Sequence, residues 1–144
     1  MSHPDAERSI LHLSLPVADL AQARAFYVET LGCRVGRTEP NRMDVDFFGH
    51  HLVLHHLPEE AERPIPGVIA AGDPAPVRHF GAVLPPSGFE ALVARMARAG
   101  VAFVVPPHTA RAGTPGEQLI TLVKDGCGNV VEFKGMESSA VFAA

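Results

Sequence analysis

Leu11-His12-Leu13-Ser14-Leu15-Pro16-Val17-Ala18-Asp19-Leu20 is the stretch on which the fold turns. Residues 10–17 read as a strand, and successive side chains of a strand point to opposite faces. Leu11, Leu13 and Leu15 share one face; His12 and Ser14 share the other. Asp19 has the chemistry of a helix N-cap, because its carboxylate can accept from the free amides of the first turn. Beyond it Leu20, Ala23, Phe26, Tyr27, Thr30 and Leu31 recur at helical spacing. Gly32 then closes the helix, since glycine tolerates the left-handed cap.

Working outward, residues 33–36, 42–48 and 51–57 read as three short strands, with Gly49 and His50 at a turn. Residues 58–76 hold five prolines and two glycines and read as a connector. The order then repeats. Residues 78–84 form a strand, and Pro85, Pro86 and Ser87 introduce a helix carrying Phe89, Leu92, Val93 and Met96. Gly100 closes that helix. Residues 101–105 make a strand, 106–116 a loop, 118–123 a strand, 125–129 a turn and 130–134 the last strand. Residues 135–144 receive no element.

The repeat can be checked by register. His12 and His79 are 67 positions apart, and Gly32 and Gly100 are 68 apart. The stretches Gly49-His50-His51-Leu52-Val53-Leu54 and Gly128-Asn129-Val130-Val131-Glu132-Phe133 stand 79 apart, so the second half has a longer loop. The reading is one domain over residues 1–144, of class α+β. It comprises two βαβββ modules, about 9–57 and 77–135, joined by the 58–76 linker. Paired, the modules would form a curved mixed sheet around a cleft, with the helices outside.

Composition narrows the function. The chain has 144 residues, 47% of them apolar, and a net charge of −4. That is too apolar for disorder, and it lacks the basic run expected of a nucleic-acid binder. Without Trp it also lacks a stacking ladder for single strands. No apolar run is long enough to span a bilayer, and residues 1–8 lack a secretory h-region. Cys33 and Cys127 do not make a disulfide scaffold. Both read as structural, in a cytoplasmic protein.

The strand faces then select candidates for chemistry. His79 and Gly81 oppose Phe80, Ala82 and Leu84; Val130, Glu132 and Lys134 oppose Val131 and Phe133. His12, His79 and Glu132 therefore share the concave side. A buried carboxylate needs a partner, and a divalent cation with imidazole co-ligands supplies one. Glu132 aligns with Val53 in the first module, which cannot bind metal. Two His and one Glu with open positions suit Fe(II) oxygen chemistry, with Mn, Zn, Ni or Co as alternatives. His51 and His55 share a face with Val53 and are candidates for proton transfer, while His50 and His56 read as solvent-facing. Arg111 is a candidate for a substrate anion. One of Glu117 and Gln118 should face the cleft, and Gln118 is taken as the substrate contact. Phe26 and Tyr27 read as core.

The opening stretch, with Ala25-Phe26-Tyr27, Leu31-Gly32, Asp125-Gly126-Cys127-Gly128-Asn129 and Val131-Glu132-Phe133, resembles the vicinal-oxygen-chelate superfamily. That superfamily includes glyoxalase I, bleomycin and fosfomycin resistance proteins and extradiol dioxygenases. The resemblance covers about residues 10–134. It implies paired βαβββ modules, a small-molecule substrate, a homodimer, and a metal on strand residues matching His12, His79 and Glu132. Where glyoxalase I carries a fourth ligand this chain has Val53, which counts against lactoylglutathione lyase activity. The usual Asp-Pro turn is Asp125-Gly126 here. The stretch Arg111-Ala112-Gly113-Thr114-Pro115-Gly116-Glu117-Gln118 is similar to one in an uncharacterised single-domain branch. The expected function is a metal-dependent enzyme on a substrate that chelates through vicinal oxygens, dioxygenase-like. The chain is nonetheless about half the size of typical extradiol enzymes. A metal-dependent isomerase, epimerase or lyase and a non-catalytic resistance-type binder stand as alternatives.

Overall fold

Asp19 caps the first helix: its Oδ1 accepts from the amides of Ala21 at 2.7 Å and Gln22 at 3.1 Å. The computed structural model describes residues 9–65, 67 and 74–143. Strand β1 (His12–Val17) precedes this cap, and helix α1 (Leu20–Arg24) follows it, continuing as a π-helical segment (Ala25–Thr30). Gly32, at φ +80°, ends the helix in the conformation that favours glycine. Strands β2 (Arg34–Glu39), β3 (Arg42–Phe47) and β4 (His50–His56) complete the unit. They form a four-stranded sheet of order β1-β4-β3-β2, with β1 parallel to β4 and the other pairs antiparallel.

A helical turn, α2 (Pro58–Ala61), opens the connector. The second unit repeats the first: β5 (Phe80–Leu84), α3 (Pro86–Arg98), β6 (Phe103–Ala110), β7 (Gln118–Lys124) and β8 (Val130–Gly135). Its sheet has the order β5-β8-β7-β6, with β5 parallel to β8. The protein is therefore α+β, built from two βαβββ units with open four-stranded mixed sheets. A 3₁₀ turn, Ser138–Ala140, occupies part of the tail that the sequence left unassigned.

Three local expectations are corrected. Strand β6 runs through Pro106 and Pro107, which the sequence reading gave to a loop. Proline removes a ladder donor, but β6 is an edge strand, and its pairing with β7 shifts between Val105 and His108. Strand β5 starts at Phe80, so His79 sits just ahead of the ladder. The connector also packs: Ile65 and Ala75 join Leu122, Val130, Val104 and Val105 in a small apolar cluster on the second sheet.

The leucine-face reading holds for Leu13 and Leu15, whereas Leu11, ahead of β1, is 65% exposed. Leu13, Leu15, Phe80, Ala82 and Leu84 pack against a buried cluster that includes Tyr27, Phe47, Phe89, Met96, Val131 and Phe133. Phe47 of the first unit lies 5.3 Å from Phe80 and 6.5 Å from Phe133 of the second, between ring centroids. Burying one such side chain contributes about 1.5–3 kcal/mol, so the shared core holds the units together.

Asp125, only 1% exposed, reinforces the junction. Its Oδ1 accepts from the amides of Cys127 at 2.8 Å and Asn129 at 2.9 Å. Its Oδ2 accepts from the Tyr27 hydroxyl at 2.7 Å and from Asn129 Nδ2 at 2.9 Å. Asn129 Nδ2 also donates to the Pro16 carbonyl at 3.0 Å, and the Ala18 amide donates to the Cys127 carbonyl at 3.0 Å. The turn before the last strand is thus bonded to the end of the first. Both cysteines are buried and free. Burial pushes the Cys33 thiol up to about 11 and the Cys127 thiol higher still, so both stay neutral at ordinary pH. No helix among the described residues is long and apolar enough to cross a membrane.

Candidate functional site

The open face of the second sheet carries the stronger constellation. Strand alternation puts Glu132 and Lys134 of β8 on one face, opposite the core residues Val131 and Phe133. Register pairs Glu132 with Leu122 and Lys134 with Ile120, so Gln118 of β7 shares that face by alternation. On the other flank Gly81 is the register partner of Glu132. A Cβ at Gly81 would overlap the Glu132 carbonyl, so only glycine lets β5 lie this close to the carboxylate strand.

His79 meets Glu132 here. His79 Nδ1 lies 2.7 Å from the Pro76 carbonyl. A carbonyl can only accept, so Nδ1 carries the proton and Nε2 is the free ring nitrogen. That Nε2 lies 3.3 Å from Glu132 Oε2, with both side chains mostly buried, at 18% and 12% exposure. If the imidazole is neutral, two lone-pair-bearing atoms face each other across this gap. The contact is favourable when a proton or a bound cation lies between them. Tethering of the distal nitrogen to a carbonyl is also how metal-binding histidines are commonly oriented. Lys134 Nζ lies 3.4 Å from Glu132 Oε1, on the other oxygen of the same carboxylate. His79, Gly81, Val83, Glu132 and Lys134 line a cleft of about 280 Å³.

His12 is placed elsewhere. It lies on the open face of the first sheet, stacked on its register partner His51 with ring centroids 4.8 Å apart. Among the described residues no group of three or more His, Cys, Asp or Glu is arranged to hold a metal ion. One chain thus brings together two of the three expected ligands and leaves His12 out. The cation chemistry fits the His79–Glu132 pair, while the donor set of a single chain is incomplete.

The first sheet has a polar network of its own. His51 Nε2 lies 3.0 Å from Asp44 Oδ2, and Arg42 Nη2 donates to Asp44 Oδ1 at 2.9 Å. The His51 hydrogen bond, with Arg42 adding to it, holds the mostly buried Asp44 carboxyl below its usual range. An ionised Asp44 can only accept, so His51 Nε2 carries the proton and Nδ1 is available to a ligand. Val53 is the register partner of both Ser14 and Asp44 and is only 2% exposed. His55 is partly buried, with Pro16 and Arg42 as its register partners, and its side chain makes no hydrogen bond among the described residues. His50 and His56 are exposed.

Arg111 and Gln118 do not join the His79–Glu132 cleft. Arg111 is exposed at φ +55°, and its carbonyl accepts from the Thr114 hydroxyl at 2.6 Å. Glu117 points away, its Oε1 accepting from the Gly113 amide at 2.9 Å. Asp44 was missed by the sequence reading. The alternation Arg42-Met43-Asp44-Val45-Asp46-Phe47 was its signal, since it places Arg42, Asp44 and Asp46 on one face, across from His55, Val53 and His51.

The sequence model of the Glyoxalase/Bleomycin resistance protein/Dioxygenase superfamily matches residues 9–133. A glyoxalase/bleomycin resistance protein/dioxygenase from Alicyclobacillus acidocaldarius is 27% identical, with a TM-score of 0.77 over 99% of this chain and 100% of its own. A lactoylglutathione lyase from Agrobacterium tumefaciens is 23% identical, with a TM-score of 0.62 over 88% of this chain and 92% of its own. The fosfomycin resistance protein FosX from Listeria monocytogenes shares the fold at 14% identity, with a TM-score of 0.65 over 92% of this chain and 96% of its own. No curated protein sequence matches the chain.

Proposed function

Because the chain belongs to the glyoxalase/bleomycin resistance protein/dioxygenase superfamily, we propose that it is a metal-dependent enzyme acting on a small substrate that chelates through two adjacent oxygens. The observation that carries this reading is the His79 Nε2–Glu132 Oε2 contact, because Nδ1 is already committed to the Pro76 carbonyl. His79 and Glu132 would hold the cation, and His12 of a second copy would complete the set in a homodimer. That copy is invoked because one chain leaves His12 apart. Fe(II) suits two His and one carboxylate best, and Mn, Zn, Ni or Co suit them next. When bound, the metal lowers the pKa of a chelated hydroxyl and fixes the two oxygens.

The protein's own residues supply the rest. Asp44 fixes the His51 ring and its tautomer, so Nδ1 can take a proton from a ligand lying over His12. His55 is the weaker candidate, because no partner among the described residues orients it. Arg111 and Gln118 would serve a substrate only if it extends beyond the cleft. A dioxygenase-like reaction in the cytoplasm is the preferred form, with a metal-dependent isomerase or lyase next. A second reading, a non-catalytic binder, draws on Lys134, which offers Glu132 a positive charge without any metal.

Protein purified without chelators and loaded anaerobically with Fe(II) tests these readings together. The proposal predicts stoichiometric metal that is lost in Glu132→Ala and His79→Ala, with oxygen uptake on a catechol panel. Metal without oxygen uptake would favour the isomerase or lyase form, and wild type no richer in metal than the variants would refute both enzyme readings.

A further inference from the structure

We propose that the groove between the two units binds an amphipathic anion, a carboxylate carried on an apolar body. The inference goes beyond the metal reading and needs no metal. The groove has a volume of about 610 Å³, within the range of about 300–1,000 Å³ typical of small-ligand sites. It runs between β1 of the first unit and the starts of β5 and β8 of the second, along the connector. Leu13, Leu15, Ile65, Phe80 and Val130 form its apolar lining. Leu13, Leu15 and Phe80 pack against the main core yet stay partly exposed, and the groove is where that surface meets water. An apolar body lying in it would cover that surface, which is favourable. Gly128 shapes one wall. It stands at φ +115°, and a Cβ there would overlap the Ala61 carbonyl, so only glycine lets the α2 turn and the turn before β8 meet at this wall.

The polar lining decides the head group. Arg63 Nη1 lies 3.1 Å from Glu60 Oε2, so these two charges offset each other. Asn129 Nδ2 donates to the Pro16 carbonyl and to Asp125. His79 is engaged by the Pro76 carbonyl and by Glu132. Arg78, just ahead of β5, is exposed and has no hydrogen bond or ion pair among the described residues. The groove therefore offers an apolar floor with one uncompensated guanidinium at its edge. Charge complementarity selects a single carboxylate, which a guanidinium can hold through two parallel hydrogen bonds. A neutral body of the same size would gain from apolar contact alone, and a cationic one would be repelled. His79 and Phe80 also line the cleft of about 280 Å³ that holds Lys134, so the test separates the two sites.

The full chain, kept metal-free in EDTA, is titrated with decanoate below its self-association range. Decanol serves as the neutral body and decyltrimethylammonium as the cationic one. Calorimetry reads affinity and methyl NMR reads location, in wild type, Arg78→Met, Arg78→Lys and Lys134→Met. The proposal predicts saturable decanoate binding that shifts the methyl signals of Leu13, Leu15 and Ile65. Affinity should fall at least about fivefold in Arg78→Met, return to within about threefold in Arg78→Lys, and change less than about twofold in Lys134→Met. Decanol and decyltrimethylammonium should each bind wild type at least about fivefold more weakly than decanoate. No saturable decanoate binding, or binding that leaves those methyls unmoved, overturns the site. Equal affinity in Arg78→Met, or decanol binding as tightly as decanoate, overturns the anion assignment. A loss in Lys134→Met without one in Arg78→Met puts the carboxylate in the smaller cleft and overturns the proposal. Because the protein carries no metal in this experiment, its failure would leave the metal reading standing.

Discussion

A histidine ring has two nitrogens, and what each faces decides what the residue can do. In His79 the Pro76 carbonyl takes one nitrogen and leaves the other to Glu132. In His51 the Asp44 carboxylate takes one and leaves the other to the open face. Strand alternation read from the sequence could place these rings on a face. It could not place their tethers, which come from a loop carbonyl and from a neighbouring strand. Lys134 shows the same limit: its face was legible and its partner was not. The Asp44 tether has a pH signature. Its folded carboxyl sits below the ordinary value of 3.8, held there first by His51 and then by Arg42. The charged form therefore favours the fold. That contribution is complete above the unfolded value and is lost as pH falls through the depressed folded value. Asp44→Asn should be less stable than wild type at pH 7 by about 1–3 kcal/mol, with a shallower loss of stability on acidification below about pH 4. Urea melts across that range check it; parallel acid limbs in the two proteins would contradict it.

At the scale of elements, the sequence showed where chemistry and periodicity agree. The Asp19 cap and the Gly32 stop each follow from one residue's own physics, and core-facing Leu13 and Leu15 follow from strand alternation. The misplaced boundaries come from tertiary context. Pro106 and Pro107 look like breakers in isolation, yet they are accommodated because β6 lies at the sheet edge. The connector looked unpacked, yet Ile65 and Ala75 cover an apolar patch that no local pattern announces. Gly81 is the element-scale constraint on the site, since its missing Cβ allows β5 to lie against the Glu132 backbone. Gly81→Ala should separate β5 from β8, with a cost of at least about 2 kcal/mol and loss of metal binding. Thermal melts and metal titration check this, and a variant matching wild type in both would contradict it.

At the scale of the molecule, two copies of one βαβββ unit share a single core through Phe47, Phe80 and Phe133 and a junction through Asp125. The repeat was legible in the spacing of its histidines and glycines. Whether the expected ligands of one chain reach each other was not, because repeat register fixes faces and leaves the relative placement of two sheets open. The sheets leave His12 stacked on His51 and His79 joined to Glu132. The central claim is that a cation bridges copies, taking His12 from one and His79 with Glu132 from the other. Complementation tests it most directly: His12→Ala and Glu132→Ala proteins are unfolded together, refolded as a mixture, and the mixed dimer is assayed for bound metal. The account predicts that each variant alone is empty while the mixed dimer regains one metal site, the one built from the intact His12 of one chain and the intact Glu132 of the other. A mixed dimer as empty as its parents would contradict it.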